Sequence, residues 1–146
     1  MLDAQTLSDR IEIDDLITSY TVAVDTGDWD RLDEVFTPDA TIDYTATGGI
    51  AGEFPEVKKW LAETLPAFFS GTQHYVTQKD VRIDAVDPDR ADVRVYFYNP
   101  MVFHEAEGKK PLIDLGGYYH HELVRTPDGW RSRRLVEELV WERKPA

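Results

Sequence analysis

Residues 61–85 read "LAETLPAFFSGTQHYVTQKDVRIDA", and the spacing of apolar side chains changes inside them. Up to Phe68 the apolar residues recur at helical intervals; from Gln73 onward apolar and polar residues alternate. A period of 3.6 buries one face of a helix, and a period of two buries one face of a strand. The fold therefore turns from helix to sheet at Gln73.

Downstream, four long stretches alternate: 73–85, 90–103, 112–126 and 129–142. "VDPD", "HEAEGKK" and "TPDG" separate them and supply turn residues. Upstream, residues 54–68 read as a helix carrying Val57, Trp60, Leu61, Leu65 and Phe68, with Pro66 expected to kink it or end it early. Residues 6–25 read as a first helix whose broad face holds Leu7, Ile11, Leu16, Ile17, Tyr20 and Val24, with Ile13 off that face. Gly27 is a natural C-cap and Asp28 a natural N-cap for a short helix over 29–36, which Pro38 and Asp39 stop. "ATIDYT" alternates, with Ala40, Ile42 and Tyr44 on one face, and "TATGGIAG" reads as a flexible loop.

Three helices followed by a run of strands specify an α+β fold, with the helices packed on one face of a curved, mostly antiparallel sheet. No repeat or linker divides residues 1–146, so a single domain is expected. Strands this long outreach a small core, and a bent sheet wrapped around helices leaves room for a ligand cavity.

Composition narrows the function. A net charge of −12 repels phosphate backbones, which argues against nucleic-acid binding and for neutral or apolar small ligands. No apolar run approaches the roughly 20 residues of a membrane span. The acidic start "MLDAQTLSDRIEIDD" lacks the basic and apolar regions of a signal peptide. With no cysteine, disulfides and thiol chemistry are out, and a cytoplasmic location is expected.

Several residues carry potential chemistry. Asp25, in "AVDTGDWD", is either a solvated carboxylate ahead of a helix cap or a partly buried one needing a partner. His74 opens a strand, as a packed or surface histidine or as a base. Tyr44 shares a face with Ile42, so its hydroxyl needs a hydrogen bond. Asn99 is in phase with Val93, Val95, Phe97 and Met101, either as a strand-end polar group or as a cavity group. His120 and His121 must point to opposite faces, which argues against a metal site; Gly116 and Gly117 suggest a bulge that could reset the phase.

The stretches "IDDLITSYTVAVDTGDWDRLDEVFTPDATIDY", "TQHYV" and "GGYYHHELVRTPDGWRSRRLVEELVW" resemble the SnoaL-like family of the nuclear transport factor 2-like superfamily. Within it they are most similar to scytalone dehydratase and bile-acid dehydratases. The resemblance implies a cone of helices and bent mixed sheet around a hydrophobic pocket, often in a homodimer or homotrimer. It implies that Asp25 orients His74 as a general base, without a cofactor, on a small hydrophobic carbonyl substrate of polyketide, steroid or terpenoid type. Tyr44, with Tyr20 or His120, would bind the carbonyl oxygen. Val24 replaces a second carbonyl-binding tyrosine, Asn99 replaces an aspartate of the bile-acid enzymes, and His104 lies near, but out of register with, a second catalytic histidine. Trp60, Phe68, Val95, Phe97 and Met101 are expected pocket walls. Because this fold hosts many activities, a non-catalytic binding module and an accessory subunit of a larger enzyme remain alternatives. A hydrogen-bonded His74–Asp25 pair facing a cavity separates the enzyme from both.

Overall fold

A computed structural model describes residues 1–146. The order is α1 (Ala4–Thr26), a 3₁₀ turn (Trp29–Glu34), β1 (Phe36–Asp43), a second 3₁₀ turn (Thr45–Thr47) and β2 (Ala51–Glu53), then α2 (Phe54–Phe68). Five strands complete it: β3 (Phe69–Thr72), β4 (Tyr75–Ile83), β5 (Arg90–Phe103), β6 (Leu112–Thr126) and β7 (Gly129–Arg143). The helix-to-sheet switch falls at Phe69, ahead of the change of period at Gln73, and the architecture is the α+β cone.

One seven-stranded sheet runs β2-β1-β7-β6-β5-β3, with β4 also paired to β5. Every pairing is antiparallel except β1 with β7. Alternation is regular along β5, where Ala91, Val93, Val95, Phe97, Asn99 and Met101 are all buried. On β1, Ala40, Ile42 and Tyr44, just past its end, are buried together, as their spacing requires.

Four details differ from the sequence reading. The short second helix is a 3₁₀ turn that ends at Glu34, and Pro38 lies inside β1. Pro66 stays within α2, which continues two residues beyond it, so the proline acts at the last turn, where few helical hydrogen bonds remain to be lost. β3 is a short strand that the alternation did not mark. The inner stripe of α1 is Asp9, Ile13, Leu16, Ile17, Tyr20 and Val24, whereas Leu7 and Ile11 are exposed. Asp9 sits on the buried side because Arg125 on β6 pairs with both its oxygens (2.7 and 2.9 Å) and Trp130 on β7 donates to it (3.2 Å). A carboxylate so satisfied can occupy an inward position that an apolar count assigns elsewhere.

Candidate active site

α1 ends at Gly27, whose φ of 70° gives the left-handed turn of a glycine C-cap. Asp25 therefore lies in the last turn of α1. Opposite it, the chain leaves the ladder for two residues between β3 and β4. Gln73 N–H still reaches the carbonyl of Pro100 (3.1 Å), but His74 N–H donates to Asp25 Oδ2 instead (2.8 Å). The ring follows, with Nδ1 2.5 Å from Asp25 Oδ1. One carboxylate thus holds both the backbone and the side chain of His74. Since a carboxylate accepts, Nδ1 carries a proton, and in the neutral ring the lone pair is then on Nε2. The histidine side chain is 6% exposed and that of Asp25 19%.

His74 lines a cavity of about 500 Å³ enclosed by α1, α2, the 44–49 loop and strands β5 to β7. Tyr20, Tyr44, Trp60, Phe68, Asn99 and Met101 line it as well. The Tyr20 and Tyr44 hydroxyls are 2.6 Å apart, and the Tyr20 ring centre is 6.5 Å from that of His74. Burial pushes both phenols well above their usual range, so they stay neutral; one of their two hydrogens is held in the bond between them and the other remains to donate. Thr72 donates to Asn99 Oδ1 (3.0 Å), which leaves the amide N–H groups of Asn99 for a ligand.

Three expected pocket residues lie elsewhere. Val95 and Phe97 face inward but fill the packed part of the core, where Phe97 stacks on Tyr119 at 4.3 Å. His120 is on the outer face of the sheet, 2.7 Å from Glu138. Its neighbour His121 takes the inward position beside Ser132 (2.9 Å). His104 lies outside the cavity, within 2.7 Å of the Pro66 carbonyl.

Tyr119 and Glu137 are among the cavity residues that the sequence did not mark. They face each other across the β6–β7 ladder. The signal for Glu137 was its place between Leu135 and Leu139 in "LVEEL", where alternation turns a charge inward. Burial raises its carboxyl to about 7, against the Thr47 and Tyr119 hydroxyls, which lower it.

Comparison with known proteins places the family and the fold. A SnoaL-like domain profile matches residues 5–136. An uncharacterised Mycobacterium tuberculosis protein is 43% identical over 143 residues, covering 98% of this chain and 93% of its own. A crystal structure from Kribbella flavida superposes with a TM-score of 0.82 at 28% identity, covering 97% of this chain and 95% of that one. A type 2 hexachlorocyclohexane dehydrochlorinase also gives 0.82, at 24% identity, over 99% of this chain and 94% of its own. The last likeness is one of fold. On the matched profile and the 43% identical relative, the chain belongs to the SnoaL-like family.

Proposed function

We propose that the cavity carries out a cofactor-independent elimination or isomerisation on a small, mostly apolar carbonyl compound of polyketide, steroid or terpenoid type. His74 is the general base, removing a proton next to the carbonyl through Nε2. Asp25 fixes the Nδ1–H tautomer and stabilises the imidazolium that forms. The Tyr20–Tyr44 pair and the Asn99 amide donate to the oxygen on which negative charge develops. The observation that carries this reading is the double hold of Asp25 on His74 at the cavity wall. A module that only binds apolar ligands has no need of an imidazole locked in one tautomer. A fold neighbour that eliminates HCl fits a proton-abstracting site in this architecture.

A panel of cyclic ketones and β-hydroxy carbonyl compounds tests it. His74→Ala is expected to slow turnover by about 10²–10⁴-fold. Asp25→Asn should also lose activity, and the double variant should lose little more than His74→Ala alone, because residues acting as a unit are not additive. Binding should change less than turnover, since apolar walls supply most of the affinity. Wild-type turnover by His74→Ala would refute the base.

A further inference from the structure

The dyad leaves one cavity group without a task. Glu137 is 7% exposed in the middle of β7. Thr47 Oγ1 donates to its Oε1 at 2.5 Å, and Tyr119 faces it from β6. No lysine, arginine or histidine pairs with it. Around it stand Asp43 on β1, Tyr20 on α1, Tyr44 after β1 and Tyr119 on β6. The cations nearest in sequence on its strand lie outside the cavity, and the lining's one cation, Lys144, is exposed at the rim and paired with Glu142 (3.4 Å). A buried carboxyl among hydroxyls and apolar walls, with no counter-ion, favours the protonated form. Its carboxyl, raised to about 7 by that burial, still holds a proton at neutrality in a large share of molecules.

A leaving group that departs as chloride needs a cation or a set of N–H dipoles. No cation pairs with Glu137, and a carboxyl that can ionise would repel a departing anion. A hydroxyl leaves only if it is protonated, and a neutral carboxylic acid does that. The site thus pairs a base with an acid rather than with an anion trap.

We propose that Glu137 is the acid that protonates a leaving hydroxyl, so that the substrate is a β-hydroxy carbonyl compound and the reaction a dehydration. The proposal rests on His74 being the base. His74 Nε2 takes the α-proton, and the electron pair of that C–H bond becomes the new C=C bond as the β C–O bond breaks. The departing oxygen takes the Glu137 proton and leaves as water. Imidazolium and carboxylate remain, and one proton passing between them through solvent restores both, so the net change is loss of one water.

Matched cyclic β-hydroxy ketones and β-chloro ketones, from monocyclic to steroidal, test this because each pair gives the same enone. Rates are taken with wild type, Glu137→Gln and His74→Ala, after subtraction of the uncatalysed reaction. Glu137→Gln is expected to slow the hydroxy substrate by about 10²-fold or more and the chloro substrate by less than about threefold. His74→Ala should slow both. Equal losses on both substrates in Glu137→Gln, or no loss on either, overturn the acid role while leaving the base in place. Full activity of His74→Ala overturns the base reading separately. If wild type consumes no hydroxy ketone of the panel, the substrate class is wrong. A second readout needs no substrate: the difference infrared spectrum of wild type minus Glu137→Gln should show a protonated carboxyl band below neutrality that vanishes above it. A carboxylate band throughout overturns the proposal.

Discussion

His121 and Glu137 both point into the interior from neighbouring strands, and acid acts on them in opposite senses. Burial lowers His121 to about 3 from 6.5, so between those values the unfolded chain binds more protons and stability rises with pH. Burial raises Glu137 to about 7 from 4.5, so over that span the folded chain binds more protons and stability falls with pH. Between 4.5 and 6.5 the two slopes, each about 1.4 kcal/mol per pH unit, offset one another. Urea unfolding across this window should show Glu137→Gln gaining a positive slope relative to wild type and His121→Asn a negative one. Variants that run parallel to wild type would mean that neither group titrates differently on folding. Asp9 acts at lower pH. Hydrogen bonds from Arg125, with help from Trp130 and Gln5, hold it at about 2 against 3.8, so its stabilisation is complete above 3.8 and is lost as pH falls toward 2. Asp9→Asn should cost on the order of 2 kcal/mol at neutral pH, read as a lower urea midpoint.

At the scale of elements, the β6–β7 pair decides which side chains reach the cavity. Its register shifts between Gly116 and Gly117, where Gly116 pairs with Trp141 and Gly117 with Leu139, so Val140 is the extra residue. A Cβ on Gly117 would stand 1.9 Å from the Glu138 carbonyl oxygen, which leaves no room for any side chain. Gly117→Ala should destabilise by about 1–3 kcal/mol or more and should disturb Glu137 next to the contact, seen as loss of its protonated carboxyl band. The same pair shows what the sequence could convey. The bounds of β5, β6 and β7 were legible because alternation persists for the length of each, and the adjacency of His120 and His121 already put them on opposite sides. Which of the two turned inward depended on the bulged pairing with β7, which no local pattern records. Val95 and Phe97 were read correctly as inward residues, but alternation does not say where along a strand packed core gives way to cavity. On α1, Asp9 occupied an inward place because of Arg125, over a hundred residues away. The dyad itself came from resemblance, since spacing alone left Asp25 and His74 open.

The whole molecule presents an aromatic band on the side of the sheet away from the helices. Tyr75 stacks on Tyr98 (5.7 Å), Tyr98 on Trp141 (5.9 Å), and Tyr96 meets Tyr118 edge-on (4.7 Å) beneath Arg94. Tyr75, Tyr96, Tyr98 and Trp141 are each more than a third exposed. Aromatic residues with an arginine are the usual content of protein interfaces. The parallel pairing of β1 with β7 has a consequence in time. Ile42 meets Leu135, on the order of ninety residues later, so a ribosome adding roughly 5–20 residues per second leaves the edge of β1 that pairs with β7 open for roughly 5–20 s before its partner is made. In refolding of the full chain, in which both strands are present from the start, the fast phase should instead take milliseconds to seconds. For this protein, synthesis rather than folding sets the interval during which a chaperone has something to hold.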